Sequence, residues 1–255
     1  MTRYFLELSY KGTRYSGFQT QENAETVQGE VEKAFSTLQR KPVELIGSSR
    51  TDAGVHALQN FFHFDFEGEL HTDFVYKMNA ILPRDIVIHG VEAVEPEAHC
   101  RFDATSRYYR YYIYRSKNPF LEDRAYFYPY TVDMEKMQMA AAVLMEYEDF
   151  TTFSKRNTQV KTFKCKISHS KWLWEGEYLV YEVEANRFLR GMVRALTATM
   201  LRVGRGKIGL EAFRQIIEGK DNTKANFDVP GKGLFLTAVR YGNRQSSIVN
   251  KSISE

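Results

Sequence analysis

Three stretches of this 255-residue chain carry residue types that can do chemistry. The first is Gly47-Ser48-Ser49-Arg50-Thr51-Asp52-Ala53-Gly54-Val55-His56-Ala57. It sets one carboxylate, Asp52, between an arginine and two small residues that cannot shield it. A carboxylate on such a loop can act as a nucleophile or base, because Ala53 and Gly54 let a substrate come close to the backbone. The same residues also suit a plain β-turn, in which Asp and Gly serve turn geometry.

The second stretch, Ala104 to Lys117, interleaves five tyrosines with basic residues and contains no acid. On a strand, Arg107, Tyr109, Tyr111 and Ile113 share one face, and Tyr108, Arg110, Tyr112 and Tyr114 the other. Phenol rings beside guanidinium groups suit unstacked bases and phosphates. They equally suit a strand whose tyrosines fill two half-buried faces, with arginines at the rim. The third stretch, Ala185 to Lys207, has six basic residues (Arg187, Arg190, Arg194, Arg202, Arg205 and Lys207) and again no acid. If helical, it places Arg187, Arg190 and Arg194 on one face. That face is either a solvated basic surface or a phosphate-facing one. A shorter basic loop, Lys155 to Lys161, reads as a solvated loop.

The elements that must position these residues follow from periodicity. Strands are expected at Tyr4–Tyr10, Val43–Ile46, Asn60–Phe66 and Ile86–Ile88, the last continuing to Val94. Thr26 caps a helix with Val27, Val31, Ala34, Phe35 and Leu38 on one stripe, and Thr72 caps a second that Pro83 stops. Farther on, a strand at Arg107–Arg115 precedes a helix that starts at Asp133. Strands at Phe163–Trp174 and Tyr178–Glu184 follow, then a helix from about Phe188 to Val203. A short helix at Leu210–Glu218 and a closing strand at Leu234–Tyr241 complete the pattern. Short links between successive strands favour antiparallel pairing, hence an α+β fold. The expected organisation is an N-terminal domain over 1–104, a C-terminal domain over 105–244 and a mobile tail over 245–255.

Bulk properties narrow the class. The net charge of +3 does not by itself announce a polyanion partner. Two cysteines, Cys100 and Cys165, lack metal-site spacing and fit a reducing compartment. No nucleotide-binding glycine fingerprint occurs, so neither metal nor cofactor is expected. His56 reads as structural, since no serine or cysteine nucleophile accompanies it. The first residues lack a signal-peptide core and no apolar run approaches a membrane span, so a cytoplasmic protein without a membrane partner is expected.

Together the motifs resemble the tRNA pseudouridine synthase A (TruA) family. Arg50 to Ala57 is similar to its catalytic loop. Arg101-Phe102-Asp103-Ala104-Thr105, with Arg107, Tyr109, Arg110 and Tyr111, is similar to its second motif. Phe188-Leu189 with Met192-Val193-Arg194 is similar to its third. Gly233 to Leu236 resembles its closing strand, and Ser16 to Gln21 its N-terminal segment. The resemblance therefore spans the chain. Ser49, Phe18 and Arg190-Gly191 depart from the usual pattern, and none of them removes a reacting group.

The resemblance implies two α/β subdomains with joined, mainly antiparallel sheets and an active-site cleft between them. It implies a cofactor-free isomerase that converts uridine to pseudouridine at positions 38, 39 and 40 of the tRNA anticodon stem-loop, working as a homodimer. By resemblance Asp52 is the nucleophile, and Arg194 pairs with it and keeps it ionised. Tyr109 stacks on the extruded uracil and takes part in removing the C5 proton. Arg50 fills the space the flipped base leaves, while Arg107, Arg187 and Arg190 bind substrate. The competing readings are an RNA-binding protein of the same fold, a synthase acting at other RNA positions, and a glycosidase-like hydrolase. The last calls for a second acid opposite Asp52, which the motifs do not contain.

Overall fold

The computed structural model describes residues 1–156 and 160–242. The tail over 245–255 and the centre of the basic loop at 155–161 lie outside them. Contact density divides the chain into two compact units, Met1–Thr105 with Leu236–Glu255, and Ser106–Phe235.

In the first unit, β1 (Thr2–Tyr10) lies between β3 (His56–Phe66) and β4 (Ile86–Val94), antiparallel to both. The short β2 (Ile46–Gly47) pairs antiparallel with the other edge of β3. From Leu236 onward, β9 (Leu234–Tyr241) also neighbours β3. Two helices, α1 (Val27–Gln39) and α2 (Phe74–Ile81), complete the unit. Thr26 caps α1 by accepting from the Gly29 amide at 3.1 Å, and Val27, Val31, Ala34 and Phe35 form its buried stripe. Phe35 sits edge-on to Phe64, Phe66 and Phe74 at 5.2–5.6 Å, an aromatic cluster that joins both helices to β3.

Two expectations in this unit need correction. Thr72 does not cap α2: the residue before the helix is Asp73, at φ +58°, without a capping side-chain bond. The strand expected at Val43–Ile46 is reduced to Ile46–Gly47. Leu45 spends its backbone groups on α1 instead. Its carbonyl accepts from Gln28 Nε2 at 2.8 Å, and its amide donates to Glu32 Oε1 at 3.4 Å.

In the second unit, β5 (Ala104–Tyr114) pairs antiparallel with β8 (Tyr178–Ala185), which pairs antiparallel with β7 (Ile167–Glu175). A two-residue β6 (Tyr126–Phe127) runs parallel to the end of β5. The helices are α3 (Met134–Val143), capped by Asp133, α4 (Met192–Gly204) and α5 (Leu210–Glu218). Helix α4 is buried over nearly its whole length, with Arg194 and Arg202 as its only partly exposed residues. Gly204 is where α3 comes close: a Cβ there would lie 2.6 Å from the Met137 side chain. Trp172 stacks on Tyr181 at 4.9 Å in the core below.

The architecture is α+β, with antiparallel pairing dominant. The expected strand at Phe163–Trp174 starts only at Ile167. Before it, Phe163 and Cys165 exchange backbone bonds with Phe150 and Glu148. The helix expected from Phe188 starts at Met192, because Gly191 precedes it at φ +75°, a left-handed conformation incompatible with a continuing helix.

Candidate active site

The Asp52 loop links β2 to β3 and is held from several sides. Ser48 N donates to Phe61 O at 2.8 Å, which closes its base. Thr51, buried, shares a 2.8 Å hydrogen bond with the Tyr10 hydroxyl. Fully buried Asn60 donates through Nδ2 to Ser49 O at 2.9 Å and to the Tyr10 hydroxyl at 3.3 Å. The segment after β1 lies against the other side. Phe18 N donates to Thr51 O, Gly54 N to Tyr15 O, and Gly12 N to His56 Nδ1 at 3.0 Å. His56 is thus a buried acceptor, in keeping with a structural role.

Within this frame the backbone makes a tight turn. Val55 N donates to Asp52 O at 3.2 Å, and Gly54 sits at φ +75°. Asp52 is half-buried, while Arg50 and Ala53 are exposed. The turn-geometry reading of the sequence therefore holds. Asp and Gly do build a turn, and the turn presents a carboxylate whose neighbours are anchored while its own surface stays accessible.

In the second unit, the tyrosine strand divides sharply. Tyr111 and Tyr112 are fully buried, and the Tyr111 hydroxyl donates to Pro230 O at 2.7 Å. Burial pushes the Tyr111 hydroxyl's pKa up, against the opposing charge of Arg194. Arg110 is buried as well, paired with Glu175 and, at 3.1 Å, with Glu182, and its guanidinium also donates to the Tyr112 hydroxyl. For these residues the packing reading is the correct one. Tyr109 is as buried as Arg110, at 8% exposure, and meets Phe188 edge-on at 5.1 Å. Arg107 is largely buried and donates to Asn186 O at 3.0 Å, which ties β5 to the segment before α4.

That segment corrects the third motif. Arg187 and Arg190 lie before Gly191, outside the helix, so they share no helical face with Arg194. Arg190 is exposed and Arg187 half-buried. Arg194, in the first turn of α4, is gripped by two carbonyls: Nε donates to Val229 O at 2.8 Å and Nη2 to Phe227 O at 3.3 Å. Those two anchors, like Tyr10 and Asn60 around the Asp loop, carry no local sequence signal. Val229 and Phe227 come from 35 and 33 residues away along the chain, and Tyr10 from 41 residues before Thr51.

The first unit thus holds a carboxylate on a braced loop, and the second holds a tyrosine within β5 and a pinned arginine in the first turn of α4. The sequence profile of the tRNA pseudouridine synthase family matches residues 8–103 and 140–242. The tRNA pseudouridine synthase A of Parabacteroides distasonis is 48% identical over 244 residues, covering 94% of this chain and 96% of that protein. The Bacteroides fragilis protein of the same name is 49% identical over 242 residues, with 94% and 96% covered. That of Staphylococcus aureus strain N315 is 35% identical over 240 residues, with 93% and 90% covered. The chain belongs to the tRNA pseudouridine synthase family.

Proposed function

We propose that this chain isomerises uridine to pseudouridine at positions 38, 39 and 40 of the tRNA anticodon stem-loop, with Asp52 as the nucleophile. The observation that supports this best is the Asp52 loop itself, a half-buried carboxylate on a turn whose flanks are anchored at Thr51 and Ser49. In this reading the uridine is first flipped out of the stack, at a cost of a few kcal/mol. Stacking on the Tyr109 ring returns roughly 1–3 kcal/mol of it.

Cleavage of the bond between N1 and C1′ builds oxocarbenium character on the ribose. The Asp52 carboxylate traps it at C1′, as a carboxylate does in retaining glycoside hydrolysis. The detached uracil turns, C5 bonds to C1′ and the carboxylate leaves. The C5 proton then departs through the Tyr109 hydroxyl to solvent, and N1 ends protonated. One glycosidic bond is exchanged for another, nothing is oxidised and no group is lost, so the chemistry calls for no cofactor.

Arg194 supplies the cation that this reading assigns to the reacting centre, while Arg50, Arg107, Arg187 and Arg190 serve substrate binding. The protein is read as a cytoplasmic homodimer. No helix among the described residues is long and apolar enough to cross a membrane. Chemical mapping of pseudouridine in unmodified tRNA transcripts after incubation with the enzyme tests the target positions. Modification confined to 38, 39 and 40 supports the assignment, and modification elsewhere replaces it with a synthase of other specificity. Sedimentation of the enzyme at the mass of one chain would remove the homodimer.

A further inference from the structure

Beyond the residues assigned so far, the second unit carries a row of tyrosines that the reaction does not use. Tyr126, Tyr128 and Tyr130 alternate along β6 and its continuation, and so project to one side of the extended backbone. Their ring centroids are 5.5 and 5.0 Å apart. The backbone beneath them is fixed, since Tyr128 N donates to Tyr114 O at 2.9 Å. At the outer end the Arg205 guanidinium carbon lies 3.9 Å from the Tyr130 ring centroid, a close cation–π stack, and Arg205 also reaches the Tyr128 hydroxyl. Tyr130 is 48% exposed even so, which leaves ring surface open to a further stacked group.

The row has a direction. Its inner member, Tyr126, is close enough to Tyr111 to influence that hydroxyl, as Arg194 is. From there the rings lead outward to Arg205, just past the end of α4. Positive charge gathers at that outer end. Arg202 and Lys207 flank Arg205 in sequence, and Arg115 donates to Thr131 Oγ1 at 3.2 Å. Two acids are near. Asp133 is occupied by Lys136, accepting from its amide and pairing with its ammonium at 3.1 Å. Asp228 sits by Tyr126 at the inner end.

A line of half-open phenol rings ending in a guanidinium and further cations is complementary to unpaired nucleotides, whose bases stack on rings and whose phosphates meet the charges. Packing alone accounts for Tyr126 and Tyr128, but it gives no reason for a half-exposed tyrosine held under an arginine. We infer that Tyr126, Tyr128, Tyr130 and Arg205 form an auxiliary track that stacks unpaired nucleotides of the RNA substrate outside the reacting uridine. The inference rests on the proposed action on tRNA.

The test uses the full-length enzyme, an unmodified tRNA transcript as probe, and the variants Tyr130→Ala, Tyr130→Phe and Arg205→Gln. RNA affinity is read by fluorescence anisotropy, and turnover by tritium release from C5 of uridine. Tyr130→Ala is expected to weaken binding about ten-fold, the scale of one lost base–aromatic stack. Its KM should rise in step while kcat stays within about two-fold, as a site remote from the chemistry requires. Tyr130→Phe keeps the ring and should bind within about two-fold of wild type. Arg205→Gln should weaken binding and flatten the log–log salt slope by on the order of 0.7–0.9. A wild-type enzyme that releases tritium, with Tyr130→Ala binding as tightly as wild type, overturns the track alone. A wild-type enzyme that releases no tritium overturns the reading on which it rests.

Discussion

Gly12 offers the sharpest test of how the Asp52 loop is held. A Cβ built on Gly12 would lie 1.9 Å from the Val55 carbonyl oxygen and 2.7 Å from its carbon, both backbone atoms. No rotamer change relieves such a contact, so in Gly12→Ala the Val55 backbone must retreat by about 1.5 Å to reach an ordinary van der Waals distance. Val55 closes the turn by donating to Asp52 O, and the Gly12 amide holds the next residue, His56. The displacement therefore reaches the carboxylate.

A misplacement of about 1 Å costs roughly 10²-fold in rate. Overpacking of this kind costs about 1–3 kcal/mol of stability. We expect Gly12→Ala to lower kcat for tritium release about 100-fold, with a reduced Tm and an RNA affinity within about three-fold of wild type. Gly90→Ala is the control, since a Cβ at Gly90 meets nothing within 4 Å. It should leave rate and Tm unchanged. A Gly12→Ala enzyme that turns over at the wild-type rate would refute the claim that the segment after β1 sets the position of Asp52.

Other consequences follow from buried groups. His63 is 2% exposed, and burial, reinforced by His99 and Arg3, lowers its pKa to about 4 from an ordinary 6.5. Between those values the unfolded chain binds a proton that the folded one refuses, so stability falls as pH drops from 6.5 toward 4. The loss is on the order of 3 kcal/mol. Urea unfolding at pH 7 and pH 4.5 should show a smaller acid loss in His63→Phe than in wild type, and equal losses would contradict the assignment. At Tyr109, removal of the hydroxyl alone (Tyr109→Phe) should lower C5 tritium release about 100-fold, the lower range of proton-transfer catalysis, while RNA binding is kept. Full activity of Tyr109→Phe would remove the hydroxyl from the proton path. Tyr109→Leu should weaken binding as well, because the stacking ring is gone.

Much of the fold was legible where local chemistry decides it. Thr26 and Asp133 cap their helices as their types suggest, Pro83 follows the end of α2, and β4, α5 and β9 fall where periodicity puts them. Elements failed where a distant partner overrides local preference. Leu45 gives its backbone to Gln28 and Glu32, and Phe163 pairs with Phe150. The start of α4 turned on one residue: Gly191 looks harmless in a helical pattern, yet its left-handed conformation moves Arg187 and Arg190 off the helix.

At the candidate site the motifs point to Asp52, Tyr109 and Arg194, but not to the residues that support them. Nothing near Asp52 in sequence announces Tyr10 or Asn60, and nothing near Arg194 announces Phe227 and Val229. The Tyr108 to Tyr114 series could not be sorted from sequence into packing and surface roles. The register of β5 against β8 and the carbonyl of Pro230 do that sorting.

The central claim is that Asp52 performs the isomerisation. Unmodified tRNA transcripts with tritium at C5 of uridine, incubated with wild type and with Asp52→Asn, test it most directly. The account predicts tritium release by the wild type and none by Asp52→Asn, with the variant still binding the RNA. Release by Asp52→Asn at a rate near wild type would contradict it.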